Sequence, residues 1–130
     1  MRALLTILLV SAFVGDSVTL RYFNAELAGN GIEVSWETDK EEAVRTYELF
    51  RKTSFATDFA VIESVDPHGT GSVYRVLDDE VYKVGAEQID YRLEVVFTSG
   101  VRQRLAEKKV NYTPTAIRRS WGSIKAMFQF

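Results

Sequence analysis

Between Thr19 and Thr113 the hydrophobic positions recur with a period of two. Ile32, Val34 and Trp36 alternate with Glu33, Ser35 and Glu37, the pattern of a strand with one face buried and one wet. The turn pair Asn30-Gly31 leads into it, and upstream Phe23, Ala25 and Leu27 share one face of a first strand. Downstream, Tyr47 and Leu49 alternate with Glu48 and Phe50, and a shorter strand runs from Phe59 to Val65. Asp66 to Ser72 is a loop by composition, followed by a short strand around Tyr74 and Val76 that ends at Asp78-Asp79. Tyr91, Leu93, Val95 and Phe97 line one face of the next strand, and Ser99-Gly100 turns the chain. In the last strand, Val101 to Thr113, the parity shifts between Leu105 and Val110, which predicts a β-bulge near Glu107.

Seven strands in about 95 residues, with no helical period between them, exclude crossover helices and a parallel sheet. The expected fold is all-β, a seven-strand antiparallel two-sheet sandwich of the immunoglobulin-like kind. Its expected core is Phe23, Leu27, Ile32, Val34, Trp36, Tyr47, Leu49, Val76, Leu77, Tyr91, Leu93 and Val95. The full 130 residues suit one domain, and 46% hydrophobic with 26% charged residues is globular composition. Without cysteine there are no disulfides and no thiolate chemistry, and one histidine, His68, leaves little for imidazole catalysis.

The ends differ from the middle. Residues 1–18 open with Arg2 and an apolar run from Ala3 to Val10, then small residues, which reads as a secretory signal cut after Ala12. The alternative is a retained assembly segment, buried as a strand or helix. In residues 114–130, Ile117, Trp121, Ile124, Met127 and Phe128 recur at helical spacing, with Arg118, Arg119 and Lys125 elsewhere on the wheel. This is a short amphipathic, basic arm. The formal charge of −2 divides unevenly: residues 101–130 hold seven basic groups and one acid, Glu107, while residues 1–100 hold nine basic and seventeen acidic groups. The acidic body argues against nucleic acid as a partner. A basic end and an acidic body attract each other, within one copy or between copies.

GIEVSWET, then YELFRKTS, then VYRVLDD and IDYRLEVVFTSG together resemble a fibronectin type III domain over residues 19–113. The resemblance implies a buried tryptophan on the second strand, here Trp36, and a tyrosine on the third, here Tyr47. It also implies that Tyr91 opens the sixth strand and bonds back to the preceding loop. The form YRL…V…SG is similar to modules of secreted bacterial surface proteins, and RRSWGSIKAMFQF to terminal tags of exported ones. No Arg-Gly-Asp occurs, so integrin-style adhesion does not carry over.

Candidate chemistry is sparse. Glu37 and Asp39, Glu41-Glu42 and Asp78-Asp79-Glu80 supply paired carboxylates, but a glycosidase needs two acids facing across a cleft, and adjacent acids on a corner read as solvated. Asp78, Asp79 and Glu80 also offer oxygens to a hard cation such as calcium, although no EF-hand spacing is present. His68 with Ser64, Asp66 and Ser72 has triad residue types on one flexible loop without a nucleophile elbow. No phosphate loop or dinucleotide fingerprint occurs, so no catalytic, metal or cofactor residue is assigned. The expectation is a secreted, non-enzymatic structural subunit that assembles with itself through exchanged terminal segments. Ile117, Trp121, Ile124, Met127 and Phe128 are the expected anchors, with Arg118, Arg119 and Lys125 meeting the acidic body or the cell envelope. The alternative is an adhesion module that binds a polysaccharide or partner protein through Phe55, Phe59, Tyr74 and Tyr82.

Overall fold

A computed structural model describes residues 16–84 and 87–112, apart from the side chains of Tyr82 and Val84. Strand β1 (Ser17–Ala28) turns back into β2 (Gly31–Glu42), and β5 (Val73–Asp78) pairs with the far side of β2. The second sheet runs β4 (Ala60–Val65), β3 (Val44–Thr53), β6 (Gln88–Phe97) and β7 (Arg102–Asn111). Every pairing is antiparallel, so the seven-strand, two-sheet sandwich is borne out. A single 3₁₀ turn, Val81–Val84, lies between β5 and β6 and buries Val81 completely.

The sheets close on an aromatic centre. Trp36 stacks on Tyr74 at 5.2 Å between centroids, with Tyr47 edge-on at 5.9 Å and Phe23 tilted at 6.5 Å. Fully burying a side chain of this size contributes roughly 1.5–3 kcal/mol. Ile32, Val34, Leu49, Ile89, Leu93 and Val95 fill the space around it. The Trp36 indole nitrogen finds no hydrogen-bond acceptor among the described residues.

Two expected core residues lie outside. Leu77 is 56% exposed because Tyr74, Val76 and Asp78 take the inward parity of β5. Leu27 is 53% exposed at the hairpin end of β1, an edge strand. The bulge in β7 falls at Leu105, two residues before the expected place: Leu93 pairs with Ala106 and Glu94 with Arg104. The first hairpin turns on Gly29-Asn30, with Gly29 at φ 61°, a left-handed conformation that glycine adopts without penalty. Gly31 serves differently: a Cβ there would lie 2.7 Å from the Asp78 carbonyl oxygen on β5.

Candidate functional site

Two carboxylates organise the polar contacts between the sheets: the alternation of β5 turns Asp78 inward, whereas Glu41 lies past the register shift that follows Thr38 on β2. Asp78 closes β5, and Arg51 lies on the inward row of β3 after Tyr47 and Leu49. Arg51 Nη1 donates to Asp78 Oδ1 at 2.7 Å and Oδ2 at 2.8 Å, and the Tyr91 hydroxyl donates to Oδ2 at 2.7 Å. Asp78 is 6% exposed, so its charge is matched where water is scarce. Burial first, then this hydrogen bond, raises the Tyr91 phenol. The expected bond from Tyr91 to the preceding loop is thus a bond to the last residue of β5. It is made from the fourth residue of β6 rather than the first.

Glu41 forms the second knot, near the end of β2. Its Oε2 accepts the hydroxyls of Tyr47 at 2.7 Å and Tyr74 at 2.6 Å, and its Oε1 accepts Gly69 N at 2.7 Å. Tyr74 in turn accepts His68 N at 2.7 Å. Burial, then the bond to Glu41, pushes Tyr74 up to about 12 and raises Tyr47 as well. Thr38 N donates to Ser72 O at 3.0 Å, and the Thr38 hydroxyl reaches Gly69 O at 3.3 Å. The loop before β5 is therefore strapped to β2.

These bonds decide the fate of the candidate chemistry. The His68 ring packs edge-on against Tyr74 at 5.2 Å and makes no hydrogen bond to Ser64, Asp66 or Ser72, so the triad types do not converge. Glu37 and Asp39 both pair with Arg21, at 3.5 Å and 3.1 Å, on the exposed face of β2. Asp78 is held by Arg51 and Tyr91, which removes it from any cation site with Asp79 and Glu80. Among the described residues no group of three acid or histidine side chains gathers as a metal site. Tyr74 is buried and Phe59 is half-covered, with the Arg92 guanidinium 4.1 Å from its ring centre. Of the expected ligand-binding aromatics only Phe55, 76% exposed, stands open, and the Tyr82 side chain lies outside the described residues. The expected anchors Ile117, Trp121, Ile124, Met127 and Phe128, with Arg118, Arg119 and Lys125, lie outside them too.

Sequence reasoning missed a charged seam on the outer face of the four-stranded sheet. Arg92 lies between the Phe50 and Phe59 rings and 2.9 Å from Glu94, though its Nε lacks the direction of a hydrogen bond. Arg102 bridges Glu48 at 2.6 Å and Glu94 at 3.7 Å. Part of the basic charge of residues 101–130 is therefore spent on acids of the same sheet.

The flank where β4 faces β5 opens as a groove of about 410 Å³, lined by Val61, Glu63, Leu77, Asp79 and Glu80 with Arg51 at its base. Val61 and Leu77 are half-exposed there beside two strand edges that pair with no other strand among the described residues.

No family model and no curated protein matches this sequence. Solved structures do match the fold. The chain is similar to OgpA from Akkermansia muciniphila, with 12% identity, a TM-score of 0.58 and 76% of this chain covered. It spans about 28% of the length of that OgpA chain. A catalytically inactive OgpA in complex with an O-glycopeptide substrate matches equally well, with a TM-score of 0.58 at 12% identity over 77% of this chain and 30% of that one. An Fn3-like protein from Clostridium thermocellum matches at 20% identity and a TM-score of 0.50, over 76% of this chain and 95% of that one. At these identities the likeness shows the fold: a fibronectin type III-like β-sandwich.

Proposed function

We propose that the chain is a non-enzymatic extracellular structural subunit that joins copies of itself into a surface filament or layer. Its terminal segments, the residues before Ser17 and residues 114–130, are exchanged between neighbours. The observation that carries this reading is a separation of charge. Residues 16–112 hold twelve basic and eighteen acidic groups, a net −6, whereas residues 113–130 hold Arg118, Arg119 and Lys125 and no acid. The partnered acids of the body support a structural rather than catalytic role, since Glu41, Asp78 and Glu94 are each held by side chains of the same domain. A basic stretch bearing Trp121 and Phe128 can add to an acidic neighbour, burying its aromatic anchors and matching its charge.

Deleting residues 114–130 tests the reading. The expected product is a folded monomer that forms no fibres in negative-stain micrographs under conditions where the full chain does. A truncated chain that assembles as before overturns the role of the arm. Compact single particles of the full chain at every concentration would favour the adhesion module instead.

A further inference from the structure

We infer that the two flanks of the four-stranded sheet are complementary docking edges, and that β7 of one copy pairs with β4 of the next to continue the sheet. The inference rests on the self-association reading and names the surfaces that would meet.

The two outer strands carry opposite charge. Residues 54–66, around β4, hold Asp58, Glu63 and Asp66 and no basic group. Residues 101–111, around β7, hold Arg102, Arg104, Lys108 and Lys109 against Glu107. Arg102 is spent on Glu48 and Glu94, and Glu107 lies 4.0 Å from Arg92. The side chains of Arg104, Lys108 and Lys109 on one edge, and of Asp58, Glu63 and Asp66 on the other, are exposed and make no ion pair or hydrogen bond with the described residues. Unpaired charge of one sign thus lines each edge.

Direction agrees with charge. The order β4-β3-β6-β7 is antiparallel throughout, so β4 and β7 run in opposite senses. A neighbour set beside the sheet by simple translation brings its β4 antiparallel to β7. The edge N–H and C=O groups of both strands, which pair with no other described strand, then find partners. Like edges repel: two β7 strands oppose cation to cation, and two β4 strands acid to acid. The charges that keep each edge from pairing with itself therefore select the unlike edge. Such a contact is heterologous and does not close by symmetry, so it propagates. The half-exposed Val61 and Leu77 on the β4 flank add apolar surface to the contact.

The test uses two charge-reversed forms of the full chain, followed by sedimentation velocity and electron microscopy. One carries Asp58→Lys, Glu63→Lys and Asp66→Lys; the other carries Arg104→Glu, Lys108→Glu and Lys109→Glu. Each alone has two edges of one sign and is expected to stay monomeric at about 0.15 M salt, where wild type assembles. Mixed in equal amounts, the two are expected to co-assemble, because each then meets an unlike edge. A reversed form that assembles like wild type overturns the inference, as does a mixture of two folded forms that stays monomeric. If a triple variant loses its fold by circular dichroism, the single changes Glu63→Lys and Lys109→Glu make the same comparison. Wild type that is monomeric at every concentration overturns self-association itself, and this inference with it.

Discussion

Replacing Asp78 with asparagine removes the charge that Arg51 and Tyr91 converge on and leaves a largely buried guanidinium without its counter-ion. The expected loss is about 3–5 kcal/mol, against about 1 kcal/mol for Tyr91→Phe, which removes one hydrogen bond and keeps the ion pair. Urea unfolding of the two variants checks the order. The tyrosines on Glu41 and Asp78 impose a pH limit of their own. An unfolded tyrosine ionises near 10, whereas Tyr74 is held at about 12 and Tyr47 and Tyr91 are also raised. Above pH 10 the unfolded chain binds fewer protons than the folded one, so stability falls as pH rises. The contribution is complete below about 10 and, for Tyr74, is lost as pH passes about 12. Urea midpoints measured at about pH 8 and about pH 11 should differ, with the lower midpoint at the higher pH.

Strand ends and turns carry the next set of effects. Gly31→Ala drives a methyl against the backbone of β5 and should destabilise by about 1–3 kcal/mol. Ala43, between β2 and β3, holds φ 57° without being glycine, while its carbonyl accepts Thr98 N at 2.8 Å. Ala43→Gly should therefore stabilise by roughly 0.5–1 kcal/mol, read as a higher melting temperature. The strands themselves were legible, because alternation such as Ile32-Val34-Trp36 leaves a sheet one way to bury itself. Val76 and Leu77 are adjacent, so on one strand only one of them can face inward. Parity alone puts Asp78 inside with Tyr74 and Val76, and puts Arg51 inside with Tyr47 and Leu49. Two opposite charges at inward positions of different strands were the available signal of the buried pair. The Glu41 knot had no such signal, since Gly69, which donates to Glu41, and His68, which donates to Tyr74, come from a loop whose path only the folded chain fixes.

At the scale of the whole molecule, the sheets join strands far apart in sequence, and refolding of the sandwich should take milliseconds to seconds by stopped-flow. Just past β7, Tyr112 is buried, donates its hydroxyl to Asn30 O at 2.7 Å and its N–H to Glu87 O at 2.8 Å. Removing Tyr112 together with residues 113–130 should cost about 2–4 kcal/mol more than removing residues 113–130 alone. The charge edges were half legible: the basic run of β7 is plain in the sequence, but its acidic counterpart becomes an edge only once β4 takes the outside of the sheet.

Complete burial of Trp36 makes the molecule its own optical instrument. The chain has two tryptophans, and the other, Trp121, belongs to the arm assigned to assembly. In a Trp121→Phe protein the emission comes from an indole sealed among Phe23, Tyr47 and Tyr74. It should be blue-shifted, nearly deaf to acrylamide, and altered only when the sandwich unfolds. In a Trp36→Phe protein the remaining indole should answer instead to whatever receives the arm, so that one spectrometer reads folding and association on separate channels.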